Sequence, residues 1–419
     1  MAKRGDTQGE LLVGLDIGTA KVAAVVGEVH DGAVTVTGVG SAPCAGLRKG
    51  MVVNIDATVQ AIERAVKEAE VMASCQIHSV FAGIGGTHIK SFNSHGVVAV
   101  KNREVASGDV ARVVDAARAV ALPLDRDILH VLAQEYVVDG QDGIKEPFGM
   151  SGVRLETRVH VVTTAIASAQ NVVKCCQRSG LHVADLVFAP LAAAEAVLTM
   201  EERELGVALV EVGAGTTNVL IFSQGALKHS AVLGLGGNHV TSDIAAGLRT
   251  PFREAELLKQ RHGCALIRLA KIGQAVEVAS VGGRTPRVLE RQTLAEIIEP
   301  RLEEIFTLAH RQIVRCGYED ALTSGIVLTG GGAMVDGAGA LAEQVFQMPA
   351  RLGVPINNPS ASGNGGSAPA DAGGPLFATA VGLVLYGAKP RDTAAPVAEE
   401  LRGFGKVRQR MVGWIKEFF

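Results

Sequence analysis

The chain has 419 residues, 47% of them apolar, and a formal net charge of −3, which predicts two lobes rather than one core and gives no global attraction for nucleic acid. The six cysteines lack paired metal-site spacing and the eleven histidines form no ligand motif such as H-E-x-x-H, and buried thiols in a reduced cytosolic compartment are the simplest account. The sequence has no charge-free apolar run of about 18 residues and its start, "MAKRGDTQGE", lacks the apolar segment of a secretory leader, so any membrane contact is expected to be peripheral.

The first informative stretch is "LLVGLDIGTAKVAAVVGEV", residues 11–29. Leu11 to Leu15 reads as a buried strand and Val22 to Val26 as its hairpin partner. Gly14 and Gly18 let the backbone come close to a bulky ligand, and the N–H groups of such a turn can cradle phosphate oxygens. Asp16 repels phosphate but can hold Mg²⁺ through water. Thr19 and Lys21 add a hydroxyl and a cation. Taken alone, the segment reads more simply as an ordinary hairpin with a Gly-Thr turn.

An amphipathic helix is predicted over 56–73, with Ile62, Ala65, Val66, Ala69 and Met72 on its core face. Residues 87–164, with "GVVAV", "SGDVARVVDAARAV" and "HVLAQEYVVD", suggest a small α/β insert, and 165–205 return as helix, strand and helix. The hairpin then recurs. "GVALVEVGAGTTNVLIFSQG" (206–225) places Glu211 where Asp16 stood and forms its turn from Gly213, Gly215, Thr216 and Thr217. Two such hairpins, about 195 residues apart, suggest a duplicated fold with a nucleotide between the halves. Residues 227–310 read as strand pieces leading into a long helix, from about Arg291 to Arg315, that Pro300 interrupts. "GIVLTGGGAMVDG" (325–337) runs a strand into Gly330, Gly331 and Gly332 before a helix, giving close backbone approach and a helix N-terminus. "NPSASGNGGSAPADAGGP" (358–375) is low-complexity and expected to be a mobile surface loop, and "KPRDTAAPVAEE" (389–400) is a polar, Pro-containing linker.

The tail, "RGFGKVRQRMVGWIKEFF" (402–419), is predicted to be an amphipathic helix. Phe404, Val407, Met411, Trp414, Ile415 and Phe418 fall within an arc of roughly 100°. Lys406, Arg410 and Lys416 lie on the opposite side, and five basic residues face one acid, Glu417. Aromatic residues beside Arg and Lys suit an anionic bilayer interface.

Three Gly-rich motifs in this order resemble the superfamily of actin, sugar kinases and heat-shock-protein ATPases. The resemblance narrows to the FtsA family of bacterial cell-division actins on "GLDIGTAKVAAVVGEV", "SGVRLETRVHVVTT", "GALKHSAVLGLGGNHVTSDIA", "EAELLKQRHGCAL", "SVGGRTPRVLERQTLAEIIEPR" and "GIVLTGGGA". It implies a two-lobed α/β actin-like fold of duplicated ribonuclease H-like domains. Subdomain 1A would take 10–86 and 165–205, the 1C insert 87–164, subdomain 2A 206–226 and 311–375, and 2B 227–310. Residues 376–388 would close 1A, 389–401 would be the linker and 402–419 a membrane-targeting helix.

By the same resemblance, ATP and Mg²⁺ would bind between the lobes. The first hairpin would hold the γ side of the phosphates, the second the β side, and Gly330 to Gly332 would pack under the adenosine. Asp16 and Glu211 would face the metal through water; Glu256 and Lys259 would contact ribose and base. Three departures from hydrolytic relatives imply weak turnover or none, and no catalytic residue is assigned. Glu211 replaces an Asp, Asn218 stands where many relatives carry a second Asp, and Ala189 stands where a water-orienting Glu or Gln is expected. The implied function is a polymerising adaptor at the division site, on the cytoplasmic face of the membrane. It would tie FtsZ to the membrane by docking the FtsZ C-terminal peptide on 2B, with Arg291 and Arg301 as contacts, and engage later division proteins through 1C. No nucleic acid is implied. Phe404, Val407, Arg410, Met411, Trp414, Ile415, Lys416 and Phe418 would touch the bilayer. The alternatives are a small-molecule kinase of the superfamily, for which no carboxylate base motif is found, and a chaperone-type ATPase, for which no substrate-binding β domain follows.

Overall fold

The computed structural model describes residues 10–30, 32–280, 285–356 and 373–389. The expected loop up to residue 372, the linker from 390 and the whole tail helix, with its bilayer residues, lie outside the described residues.

The first half begins as an antiparallel meander of Glu10–Ile17 (β1), Lys21–His30 (β2) and Ala33–Pro43 (β3). A short ribbon follows, Leu47–Arg48 (β4) with Met51–Val52 (β5), then the helix Ile55–Ala73 (α1) and the strand Ser79–Ile84 (β6). Asn54 starts α1 by accepting a hydrogen bond from the Ala57 N–H at 3.0 Å. Ile62, Ala65, Val66 and Ala69 are buried as the helical spacing requires. Met72 is not: it lies half exposed in the last turn, with only its sulfur turned to the Val39 N–H.

The insert is built from Lys90–Ala99 (β7), Ser107–Arg118 (α2), Arg126–Val138 (β8), Gln141–Ile144 (β9) and Arg154–Ala165 (β10), in the sheet order β7-β10-β8-β9. It carries small apolar centres of its own, around Val105, Val113 and Leu155 and around Ala117 and Val159. The chain returns through Ile166–Arg178 (α3), His182–Phe188 (β11), Ala189–Val197 (α4) and Met200–Leu205 (α5).

The second half repeats the first. Val207–Val212 (β12), Thr217–Ser223 (β13) and Ala226–Leu233 (β14) form the meander. Gly237–Leu248 (α6), Phe252–His262 (α7), the ribbon Ala275–Val278 (β15) with Arg287–Glu290 (β16), and Arg291–Cys316 (α8) come next. Ile326–Thr329 (β17), Ala338–Phe346 (α9), Ala350–Leu352 (β18) and Ala378–Ala388 (α10) complete the chain as described. The expectation of strand pieces over 227–290 missed α6. Its buried positions, Val240, Thr241, Ile244 and Leu248, are spread among Gly, Ser and Asn, which weakens the helical signal. Helix α8 passes through Pro300 as one element.

The two sheets have one topology. Their strand orders are β3-β2-β1-β6-β11 and β14-β13-β12-β17-β18. Asp16 pairs with Ala23 on the antiparallel side and Gly83 on the parallel side; Glu211 pairs with Asn218 and Thr329 in the same way. Helix α10 crosses back onto the first sheet so closely that a Cβ on Gly14 would lie 2.2 Å from the Ala380 carbonyl oxygen. It also crosses α4, where a Cβ on Gly382 would lie 1.7 Å from the Ala192 oxygen. The insert lies along β14, the edge strand of the second sheet. Ser91, Asn93 and Gln134 donate to the Ser230, Lys228 and Leu227 carbonyls, so side chains rather than another strand satisfy that edge.

Candidate functional site

The two hairpin turns are superposable in their hydrogen bonding. The Gly18 N–H donates to the Lys21 carbonyl, and the Gly213 N–H to the Thr216 carbonyl, each at 2.9 Å. The turns touch: a Cβ on Gly215 would lie 2.8 Å from Thr19 Oγ1 and 3.1 Å from Lys49 Cα. Thr19 is held there by the Gly50 N–H, which donates to its hydroxyl at 3.0 Å. The Thr217 hydroxyl donates inward to the Leu235 carbonyl at 2.9 Å and braces its own turn.

Three charged groups are buried between the turns. Burial raises the Asp16 carboxyl to about 6 against the pull of Lys21. Burial, then the neighbouring Asp16 charge, raises Glu211 to about 7. Two donors oppose this: the Thr379 hydroxyl at 2.8 Å from Oε1 and the Asn218 amide at 2.9 Å from Oε2. Burial lowers the Lys21 ammonium, and Asp16 restores part of the loss. Lys21 Nζ has no hydrogen-bond partner and lies 3.8 Å from the centroid of the Phe377 ring. Asn218 Oδ1 is also buried without a partner. An orphaned ammonium fits an anion and two carboxylates fit a divalent cation. Two acids cannot complete a coordination shell, so water or ligand oxygens would have to fill it. Among the described residues no cluster of three or more His, Cys, Asp or Glu could hold a metal alone.

The second turn runs into α6. Its Gly213 and Ala214 carbonyls accept from the Gly237 and Asn238 N–H groups at 2.9 and 2.8 Å, satisfying the start of that helix. Lys259, from α7, is buried against this start. Its ammonium donates to the Gly237 carbonyl at 3.1 Å, Thr241 Oγ1 at 2.8 Å and Glu256 Oε2 at 2.7 Å. Burial raises the Glu256 carboxyl, but Lys259 and the Thr241 and Gln260 bonds outweigh it, leaving the group below its ordinary value. Glu256 and Lys259 are therefore more than a surface ion pair. A Cβ on Gly237 would sit 3.3 Å from Lys259 Nζ and 3.8 Å from Gly332 Cα, so the third glycine run meets them. Gly330 adopts φ 83°, a left-handed conformation that favours glycine, and presses on the Val212 backbone.

The structure thus brings Asp16, Gly18, Thr19, Lys21, Glu211, Gly213, Gly215 and Thr216 together, and Glu256, Lys259 and Gly330–Gly332 beside them. Ala189 begins α4 next to Asp16: a Cβ on Gly83 would lie 3.5 Å from Ala189 Cβ and 3.7 Å from Asp16 Oδ1. Thr379 and Phe377 were missed, because the stretch holding them reads as apolar helix.

Arg291 and Arg301 lie ten residues apart on α8, about 15 Å along its axis. Arg291 spends its donors internally, on the His262 and Gly263 carbonyls at 2.9 and 3.1 Å and on Asp336 at 2.9 Å. Arg301 is partly exposed and paired with Asp243 and Glu304.

Comparison with known proteins finds two family models in the chain. One described as "Cell division protein FtsA" matches residues 208–382, and one described as "SHS2 domain inserted in FTSA" matches 86–163. The cell division protein FtsA of Pseudomonas aeruginosa is 49% identical, over 98% of this chain and 99% of its own. That of Escherichia coli K12 is 43% identical, over 99% of each. Among solved structures, a PilM–PilN type IV pilus biogenesis complex matches with a TM-score of 0.64 at 18% identity, over 90% of this chain and 99% of its own. MreB5 of Spiroplasma citri bound to ADP matches with a TM-score of 0.50 at 14% identity, over 83% and 92%. These last two likenesses concern the fold alone.

Proposed function

Since the chain belongs to the FtsA family of cell division proteins, with the actin-like fold and the inserted domain, we propose that it binds Mg²⁺–ATP between its lobes and works as a polymerising membrane adaptor for FtsZ. The observation that carries the nucleotide reading is the Lys21 ammonium, buried without a hydrogen-bond partner between two abutting Gly-rich turns. A phosphate would supply the missing acceptor, and a hydrated Mg²⁺ would offset the two carboxylates of Asp16 and Glu211. Thr19 and the Gly18, Gly213, Gly215 and Thr216 backbone would line the phosphates; Glu256, Lys259 and Gly330–Gly332 would line the nucleoside. Turnover of the nucleotide would be weak or absent. Ala189 brings only a methyl group to the side of Asp16 where an attacking water would need orienting.

The family and the sequence of the tail support the adaptor role. The basic amphipathic stretch 402–419 would bind anionic lipid on the cytoplasmic face, weakly as one copy and by avidity in a polymer. The insert would supply contacts for self-association and later division proteins. For the FtsZ C-terminal peptide, Arg301 is the better placed of the two arginines, because its guanidinium is partly exposed whereas Arg291 is committed to α7 and its following turn.

A thermal melt with millimolar Mg²⁺–ATP tests the central claim. An upward shift is expected, and no shift would overturn nucleotide binding. Sustained turnover above about 1 s⁻¹, the low end of ordinary enzyme rates, would overturn the weak-turnover reading.

A further inference from the structure

One short segment, reaching the cleft from the far end of the chain, touches all three Gly-rich turns. A Cβ on Gly331 would lie 3.0 Å from Leu376 Cδ2. The Phe377 ring lies under the Lys21 ammonium of the first turn, 3.8 Å from its centroid. The Thr379 hydroxyl donates to Glu211 of the second at 2.8 Å. Phe377 and Thr379 are both buried; Phe377 caps the start of α10 and Thr379 lies in its first turn, and α10 packs on the first sheet. Glu211 belongs to the second. The Thr379–Glu211 bond therefore crosses between the lobes.

We propose that Phe377 and Thr379 are positioning residues of the nucleotide site, Phe377 presenting the Lys21 ammonium to phosphate and Thr379 fixing the Glu211 carboxylate toward the hydrated cation. The inference rests on the nucleotide reading above. Its chemistry is specific. A ring face attracts an ammonium without consuming any of its three donors, so Lys21 stays oriented yet fully available to an acceptor. A hydroxyl has one proton to donate; given to Oε1, with Asn218 on Oε2, it fixes the carboxylate plane and leaves lone pairs on both oxygens free. The two residues thus act on different partners: Phe377 on the anion, Thr379 on the cation.

Calorimetric titration with ATP, in Mg²⁺ and in EDTA, separates these roles in the full chain. Thr379→Val is expected to weaken ATP binding roughly tenfold in Mg²⁺ and hardly at all in EDTA, and Thr379→Ser to restore the parental value. Phe377→Leu is expected to weaken binding by a similar factor in both media. A Thr379→Val protein that binds like the parent in Mg²⁺, or loses equally in both media, overturns the role of Thr379. Failure of Ser to rescue does the same. Phe377→Leu binding at the parental level overturns the role of Phe377. If the parent itself binds no ATP in either medium, the nucleotide reading falls and this inference with it. If Thr379→Val fails to fold, the Ser variant decides: it must match the parent in Mg²⁺, and a loss there overturns the proposal.

Discussion

Glu211→Gln is the substitution whose effect the structure determines most closely. Burial and the Asp16 charge raise this carboxyl from its ordinary 4.5 to about 7. The folded state then holds the proton more tightly than the unfolded chain does. Stability is unaffected below about pH 4.5, falls as pH rises through the window, and reaches its full deficit above about 7. The difference of about 2.5 pK units corresponds to roughly 3 kcal/mol at pH 8, since each unit is about 1.4 kcal/mol. Gln removes the charge and keeps the shape. It also keeps both hydrogen bonds: the Thr379 hydroxyl can still donate to the amide oxygen, and Asn218, whose Oδ1 has no partner, can turn its amide to accept from the new NH₂. In EDTA and without nucleotide, the variant should match the parent below about pH 4.5 and melt about 4 °C higher at pH 8, for a chain of this size. Asp16, raised to about 6, gives the parent a further loss of the same sign. Thermal melts at half-unit pH steps provide the measurement. A Gln variant that melts below the parent at pH 8, or tracks the parental pH slope, would refute the claim that an unneutralised carboxylate is buried there.

Gly382→Ala should destabilise the fold by about 1–3 kcal/mol or more, because its Cβ would lie 1.7 Å from the Ala192 oxygen and α10 would have to move off α4; an unchanged melt would contradict that packing. The insert should be separable at the point where Ser91 pairs with Val162, since the two strands enter and leave side by side. Replacing 92–161 by a short turn should preserve ATP binding in a titration and abolish self-association in sedimentation, and lost ATP binding would place the insert within the core. Trp414→Glu should stop the protein pelleting with anionic vesicles, by removing apolar burial and adding repulsion. Arg410→Glu should weaken pelleting less, with an effect that shrinks at high salt; vesicle binding by Trp414→Glu at the parental level would exclude the tail as the anchor.

What the sequence made legible follows from what each element needs. The hairpins could be read because a close-approach turn demands glycine at fixed offsets from an acid, and that demand recurs at Asp16–Gly18 and Glu211–Gly213 with identical pairing. The insert could be read because its strands and helix separate β6 from α3 and β11, where the second half runs from β17 through α9 to β18 without a further sheet. Thr379 could not, because a single hydroxyl in "LFATAVGLVLYGA" has no periodic signature and its partner is 168 residues away. The internal bonds of Arg291 were hidden for a related reason: charge on a helix looks the same in sequence whether it faces solvent or, as here, satisfies the His262 and Gly263 carbonyls. Met72 kept the helical spacing but reached the last turn, where burial ends.

The duplication also explains why the cleft is asymmetric. Two identical backbones would present identical turns, and the substitutions between them decide what each turn can bind. The first turn places Lys21 where the second has Thr216, so only one side carries a cation. The second pairs its acid with Asn218 where the first has Ala23, so only Glu211 gains a side-chain donor from its hairpin partner strand. The result is one buried ammonium facing two buried carboxylates. Burial raises both acids toward neutral pH; Lys21 opposes it at Asp16, and the Asp16 charge adds to it at Glu211. A divalent cation between the turns would reverse that shift and bind the lobes together through the same two residues. Occupancy and lobe closure would then be one equilibrium. The Thr379–Glu211 bond would extend it to α10.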